Sequence, residues 1–391
     1  MLKGHPKGLY VAFFANMGER FGFYTMMAIL VMFLQARYGL DAEAAGGIYS
    51  NFYFMIYGLA LLGGFIADRT QRYKLTIMLG IIIMAGGYAF LSIPGMSLLL
   101  AQVGLYTIAL GNGLFKGNLQ ALVGQMYDDP KYSKLRDSAF SVFYMGINIG
   151  AVFAPNAAAG MRNFWLARNG LGYDADLPSL CNQFTAGTLE NTAAFQALAD
   201  KVSGAHVADL GAFATNYIDV FTTGYNYAFG VAGLAMLVSL VTYALFQRHL
   251  PDRKAVVDGA EDDGKLPAGA VRAAVKMTWE EEKKRLVALG LVFLVVIFFW
   301  MSFHQNGLTL TMFARDYTAK TVGRLSFLIF DLKGLLSIAA FIIGLVMIVR
   351  KAGSGASRGV GAVLVAVAGV GAWYLHGSYA DTNPVEPEIF Q

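Results

Sequence analysis

Charged side chains are scarce in this chain of 391 residues. Asp, Glu, Lys and Arg together make up 14% of it, whereas a soluble domain typically carries about 25%. Cysteine is nearly absent too, and Cys181 alone cannot form an internal disulfide. A formal charge of +4 is too small to suggest a nucleic-acid partner. These shortages argue against a soluble domain, a disulfide-stapled scaffold and a nucleic-acid-binding protein.

Long apolar runs take the place of the missing charge, since 56% of the residues are hydrophobic. A membrane span needs about 20 mostly apolar residues. Nine stretches satisfy this, and the fold class predicted is therefore an all-α polytopic membrane protein. The predicted spans are residues 8–36, 46–68, 75–95, 98–127, 137–160, 222–247, 286–314, 326–349 and 359–378.

The basic residues of the connections predict the orientation. Lys3 and Lys7 precede the first span, and every second connection after it carries Lys or Arg, as at Arg253, Lys254 and Lys351. Positive segments stay in the cytoplasm. We therefore expect a cytoplasmic N-terminus in a multi-pass protein of the inner (plasma) membrane.

Two long connections predict the domain organisation. Residues 161–221 are polar and are expected outside, with a surface helix over 190–203. Residues 249–285 mix charges of both signs and are predicted to be a cytoplasmic linker. The linker would separate an N-terminal six-helix bundle (1–248) from a second part (286–391) that holds helix 7 and two further helices.

Two adjacent charges lie deep inside the first span. Glu19 and Arg20 are about 11 residues in, roughly 17 Å along the helix. Asn16, Arg20 and Tyr24 share one helix face. Ionisable residues at such depth are costly and indicate function by default. The alternative is a static ion pair that only locks helices together.

A single lysine lies midway along the fourth span. Lys116 belongs to GNGLFKGN (111–118), and no carboxylate lies within four residues of it on its own helix. It therefore needs a partner on another helix or an anion to bind. The alternative is a lysine whose head reaches the membrane surface.

Other polar side chains mark further candidates. Tyr57 ends a stripe with Tyr49 and Tyr53 and lies near the midplane, where its hydroxyl needs a partner. Asn148 lies deep in the fifth span, and His304 follows Trp300 in the seventh, where it could accept a proton. Packing, structural hydrogen bonds and a satisfied core histidine are the alternatives. No HExxH, GxSxG or Walker motif is present, so an enzyme is not expected.

Five motifs carry a family resemblance. NMGERFGFY (16–24) resembles the ExxERFxYY motif in helix 1 of the proton-dependent oligopeptide transporter (POT) family of the major facilitator superfamily. GGFIADR (63–69) resembles the family's helix 2–3 signature, and GNGLFKGN (111–118) resembles its helix 4 lysine motif. FYMGINIG (143–150) resembles its helix 5 FYxxINxG motif, and FFWMSFHQNG (298–307) resembles its helix 7 FWxxFEQxG motif. The resemblance covers roughly residues 7–160 and 222–318.

The resemblance implies a symporter that takes up di- and tripeptides by alternating access. The proton gradient would drive it without a cofactor or metal, and its partners would be small peptides, protons and the lipid bilayer. Lys116 would pair with the helix 1 carboxylate and help to hold the peptide's own carboxylate. The implied proton-coupling residues are Glu19, Arg20, Lys116 and His304; the implied substrate-binding residues are Arg20, Tyr24, Tyr57, Lys116 and Asn148; the implied gating residues are Asp68 and Arg69.

The sequence departs from the family pattern in three places. Asn16 stands where the first Glu of the helix 1 motif is expected, and His304 stands where the helix 7 Glu is expected. Helices 8 to 12 of the family have no counterpart here, so we expect that this chain alone does not transport. Two other functions stay open: the same fold moving another small anion or an amino-acid-like solute, and a non-transporting membrane scaffold.

Overall fold

The structure is a computed structural model that describes residues 4–251, 279–350 and 355–386. Nine helices in these ranges are long and apolar enough to cross a membrane. The predicted all-α membrane fold is therefore confirmed. Lys3, Arg253, Lys254, Lys351 and most of the predicted linker lie outside the described residues.

The first compact unit covers residues 1–308. Its helices include six long ones before the linker, two short ones between α5 and α8, and α9 after the linker. They are α1 Lys7–Tyr38, α2 Ala42–Thr70, α3 Tyr73–Leu91, α4 Leu98–Met126, α5 Arg136–Arg168, α6 Leu177–Thr185, α7 Thr192–Ser203, α8 Leu210–Phe246 and α9 Trp279–Phe303. Single 3-10 turns precede α5 and follow α8, at Ser133–Leu135 and Gln247–His249.

Several boundaries differ from those predicted. α5 continues to Arg168 and α8 begins at Leu210, so both helices extend into the region predicted as the loop 161–221. α3 ends at Leu91, because the chain turns before Gly95, whose φ is +79°. The helix expected over 190–203 is present as α7. The Asn191 side chain caps it by accepting a hydrogen bond from the Ala194 N–H at 3.0 Å.

The second compact unit covers residues 309–391. The span predicted over 326–349 is present from Leu332 to Val349, and it begins later than predicted because the helix is broken at Asp331 (φ −100°, ψ 135°). The Asp331 carboxylate accepts hydrogen bonds from the Gly334 N–H at 3.3 Å and the Tyr379 hydroxyl at 2.7 Å. An aspartate in this position starts a helix more readily than it continues one. The elements are a π-helical turn Asn306–Leu310 that begins in the first unit, α10 Thr311–Tyr317, β1 Thr321–Val322, α11 Arg324–Phe330, α12 Leu332–Val349, α13 Gly355–Ser378 and β2 Asn383–Pro384.

The two short strands pair antiparallel, with Thr321 opposite Pro384 and Val322 opposite Asn383. The chain divides after Leu308, whereas the sequence placed the division at residues 249–285. α9 belongs to the first unit, and His304, the residue directly after it, contacts Tyr57 and Tyr53 of α2. The functional division into 1–248, a linker and 286–391 stays a prediction.

α1 is the central helix of the first unit, enclosed mainly by α5 and α8, with smaller contacts to α4 and α2. Small residues allow the backbones of this bundle to approach closely. Gly63 on α2 lies against the Gly113 carbonyl on α4, and the Asn118 amide donates to the Gly63 carbonyl at 3.0 Å. α2 and α4 are thereby locked at the level where α4 carries Lys116.

Candidate functional site

The site is built around an ion pair between neighbouring residues of α1. Both side chains are buried, with Glu19 1% and Arg20 6% exposed. The Arg20 Nε and Nη2 groups donate to the two Glu19 oxygens, each at 2.5 Å. The guanidinium also lies 4.5 Å from the centre of the Phe23 ring. Two opposite charges in this fork geometry can coexist deep in an apolar bundle.

Asn112 on α4 is the third member of this cluster, and sequence reasoning missed it. Its Nδ2 donates to Glu19 Oε1 at 2.7 Å, and the side chain is fully buried. Asn112 lies four residues before Lys116, so both occupy one face of α4. This spacing was the available signal, but only the packing of α4 against α1 shows which amide meets the carboxylate.

Lys116 does not form the ion pair with Glu19 that the resemblance implied. Its ammonium lies 5.0 Å from the centre of the Tyr57 ring, and among the described residues no carboxylate lies within ion-pairing distance of it. Arg20 and Asn112 already occupy the Glu19 carboxylate. The cluster therefore holds Arg20, Lys116 and one carboxylate, and it carries one positive charge in excess.

An aromatic wall from α2 adjoins the lysine. The Tyr57 hydroxyl and the His304 Nε2 are 3.2 Å apart, so Tyr57 has the hydrogen-bond partner that its position demanded. The His304 ring is 4.5 Å from the Tyr53 ring and stacks on Trp300 at 5.2 Å, measured between ring centres. The structure thus brings His304 to the same wall as Tyr57 and Lys116.

Three further residues of the predicted face have different surroundings. Asn16 is buried, and its amide donates to the Phe143 carbonyl at 3.4 Å, which is a structural bond. Tyr24 is half-buried, with its ring 5.6 Å from the Phe23 ring. Asn148 is exposed, and its side chain forms no hydrogen bond to any described residue. The substrate-binding roles of Tyr24 and Asn148 stay predictions.

The residues with an implied gating role lie at the end of α2 and are exposed. The Tyr73 hydroxyl donates to the Asp68 carboxylate, and the Gln71 amide donates to the Asp68 carbonyl. Gln71 has a φ of +56°, a left-handed conformation that closes the tight turn into α3. Asp68 thus fastens the α2–α3 turn, whereas the gating role of Asp68 and Arg69 stays a prediction.

A second buried cation lies on α5, and sequence reasoning missed it as well. Arg162 is fully buried; it donates to the Tyr225 hydroxyl at 3.0 Å and lies 3.8 Å from the centre of the Tyr173 ring. Its only sequence signal is a lone arginine within an apolar stretch. The contacts join α5 to α8 and to the segment before α6, which indicates a structural role.

Comparison with known proteins shows which proteins this chain is similar to. Residues 74–258 match the POT family. Dipeptide and tripeptide permease A of Cronobacter turicensis is 38% identical over 164 residues, which are 41% of this chain and 31% of that protein. The permease of the same name from Edwardsiella piscicida is 37% identical over 164 residues, 41% of this chain and 32% of that protein. The matched region thus spans about a third of the length of these curated relatives.

Solved structures share the fold. A bacterial homologue of the human drug peptide transporters PepT1 and PepT2 superimposes with a TM-score of 0.52 at 22% identity, over 98% of this chain and 86% of that one. A peptide transporter POT in complex with sulfate gives a TM-score of 0.50 at 20% identity, over 95% and 81%. The matched family region includes Lys116 and Asn148 but begins after Glu19 and Arg20. The candidate role of Glu19 and Arg20 is therefore supported by the geometry of the cluster and not by the family match.

Proposed function

We propose, from the POT-family domain that this chain carries, that it forms the N-terminal bundle of a proton-coupled symporter for di- and tripeptides. The family match and the relatives named dipeptide and tripeptide permease support this substrate class. The protein would lie in the inner membrane with its N-terminus in the cytoplasm, and the proton gradient would drive it without a cofactor.

The observation that carries the proposal is the positive excess of the buried cluster. Arg20 and Lys116 bring two cations to a site with one carboxylate. Uncompensated charge inside a membrane protein is costly, so a site of this kind favours a bound anion. The carboxylate of a zwitterionic peptide supplies that anion, and the phenol rings of Tyr57 and Tyr24 line its approach.

Proton coupling follows from the same charge balance. With Glu19 ionised, both Glu19 oxygens occupy the Arg20 fork, and Lys116 is the cation left for substrate. A proton on Glu19 removes the negative charge from Arg20, which then gains affinity for a substrate carboxylate. By linkage, bound peptide strengthens proton binding by the same factor. His304 is a second titratable group at this site, and histidine is the side chain whose ordinary pKa lies nearest to neutral pH.

The test is uptake of labelled dialanine by host cells that express the symporter of which this chain is the proposed N-terminal bundle, compared with cells that express this chain alone and with cells that express neither. We expect uptake that a protonophore abolishes and that is lost in Lys116→Gln. Lys134→Gln is the matched control, because Lys134 is exposed on the turn before α5. Equal dipeptide uptake with and without that symporter would reject the peptide assignment and favour a non-transporting scaffold.

A second substrate class has its own supporting observation. Asn16, at the position of the first motif glutamate, is tied to the Phe143 carbonyl and brings no charge. The cluster then needs only an anion, which a small organic anion or an amino-acid-like solute also supplies. Competition of the dialanine uptake by unlabelled tripeptide, alanine and nitrate separates the classes, and inhibition by tripeptide alone is the expected result.

A further inference from the structure

Only one half of the buried Asn112 amide has a hydrogen-bond partner. Its Nδ2 donates to Glu19 Oε1 at 2.7 Å, whereas its Oδ1 is buried without a hydrogen bond to any described residue. Buried polar atoms in proteins are nearly always hydrogen-bonded, so an unpaired amide oxygen on a fully buried side chain calls for an explanation.

The chemistry of the carboxyl group supplies one. An ionised carboxylate only accepts hydrogen bonds, so the amide must present its NH₂ group to Glu19 in this state. A protonated carboxyl has an O–H that needs an acceptor. Rotation of the Asn112 amide by about 180° about χ2 exchanges the positions of Nδ2 and Oδ1, and the χ2 torsion of asparagine has roughly two-fold symmetry. After the rotation, Oδ1 faces Glu19 and can accept a hydrogen bond from the protonated carboxyl. One side chain therefore suits both protonation states of Glu19.

No other described group around Glu19 both bonds to it and offers a donor and an acceptor. Arg20 donates and has no acceptor, and Lys116 on α4 acts on Glu19 only as a positive charge. The Tyr88 hydroxyl on α3 can also donate and accept, but it forms no hydrogen bond to Glu19 and acts on it only electrostatically, whereas Tyr24 and Tyr57 act on Arg20.

Neighbouring α5 and α8 bring no charge to this level of α1. Gly150 on α5 approaches the backbone at Met17 and Phe21, and Ala232 on α8 approaches Gly22. Among the described contacts, Asn112 is thus the neutral group that can both donate to and accept from Glu19.

We propose that Asn112 is a positioning residue that holds Glu19 in place in both protonation states by rotating its amide. The proposal rests on the proposed function only in assigning the Glu19 proton to transport. A permanent cation at this position would favour the charged state alone. The amide instead keeps the Glu19 carboxyl group beside the Arg20 guanidinium in both the charged and the neutral state of Glu19.

The experiment is pH-difference infrared spectroscopy of the purified chain in lipid. The carbonyl stretch of a protonated carboxyl is assigned to Glu19 by its absence in Glu19→Gln. We expect the amide C=O band of Asn112, labelled at its side chain with ¹³C, to shift in the same pH step. In Asn112→Leu the Glu19 band should appear about one pH unit higher, because a hydrogen bond to a charged acceptor is roughly twice as strong as one to a neutral group.

Two variants make the result decisive. In Asn112→Asp, which keeps the shape but puts two carboxyls in contact, the first proton should bind at a still higher pH. Asn118→Leu is the control, because Asn118 is a buried amide on the same helix that bonds to the carbonyls of Gly63 and Leu114. Its Glu19 band should appear at the wild-type pH.

The outcomes separate this proposal from the transport proposal. If folded Asn112→Leu and Asn112→Asp both titrate as the wild type does, or if the labelled amide band does not move with Glu19, Asn112 has no such role. Shifted bands in this chain, together with no dipeptide uptake by the symporter of which it is the proposed N-terminal bundle, would keep the Asn112 assignment and reject the peptide substrate.

Discussion

α1 and α9 are both long apolar helices with polar residues of interest, yet their surroundings are opposite. α1 is enclosed by its neighbours, and Glu19 is 1% exposed. No described side chain of α9 is buried. His304, which follows α9, is held through contacts with Tyr53 and Tyr57. The α1 site is therefore fixed by packing, whereas the histidine depends on one hydrogen bond and stacked rings.

Breaking the ion pair of α1 should have the largest effect on stability. Glu19→Leu leaves Arg20 buried without a counter-charge, and we expect a loss of about 3–5 kcal/mol. Glu19→Leu/Arg20→Leu removes both charges and should regain most of that loss. Thermal unfolding in detergent measures both variants. A single variant as stable as the wild type would show that Arg20 finds another partner or reaches water.

Glycine substitutions test the packing side of the comparison. A Cβ on Gly150 of α5 would lie 2.9 Å from the Met17 carbonyl oxygen and the Phe21 nitrogen of α1. Gly150→Ala must push backbones apart, which should cost about 1–3 kcal/mol.

Gly290 on α9 is the matched control for this substitution, since nothing lies within 4 Å of its added Cβ. Gly290→Ala should leave the unfolding temperature unchanged or slightly raised. Equal losses in the two variants would contradict the contrast between the helices.

Removing one hydroxyl tests how strongly the hydrogen bond to Tyr57 holds His304. Tyr57→Phe deletes the hydrogen bond to His304, a loss of about 0.5–1.5 kcal/mol. Trp300 stacks on His304, so its fluorescence should report the freed ring. Tyr144→Phe removes an exposed hydroxyl on α5 and should leave the emission unchanged. An unaltered spectrum in Tyr57→Phe would mean that stacking alone holds His304.

The smallest effect is expected outside the spans, at α7. Hydrogen bonds from His206, Val207 and Gln196 lower the pKa of Asp200 to about 2 from 3.8. Because the folded-state pKa is the lower one, this stabilisation is present above about pH 4 and is lost as the pH falls toward 2. The protection of the Val207 N–H against hydrogen exchange, relative to an unstructured peptide at the same pH, should fall over that window, and Asp200→Asn should remove this change.

The sequence predicted the features that follow from the free-energy cost of placing polar groups in a lipid bilayer. Glu19, Arg20 and Lys116 were found because charge is costly in lipid, and the spans were found because apolar runs of that length have few other uses. The Lys116–Glu19 pairing was not borne out in this conformation, since Arg20 is adjacent in sequence and closes the fork first. Asn112 and Arg162 were missed because their partners come from other helices. The break at Asp331 was missed because apolar residues on both sides of it resemble one uninterrupted span, whereas Asp331 caps the start of α12.

Adjacency in sequence also has a consequence for biogenesis. A charged residue at the centre of a helix adds about 2.5–3.5 kcal/mol to the free energy of its insertion from the translocon. Glu19 and Arg20 lie on one turn and bond to each other through two oxygens. α1 can therefore enter the bilayer with its opposite charges already paired, before α4 and Asn112 have been synthesised. The nascent first helix carries its own counter-ion, and later helices refine an arrangement that insertion has already produced.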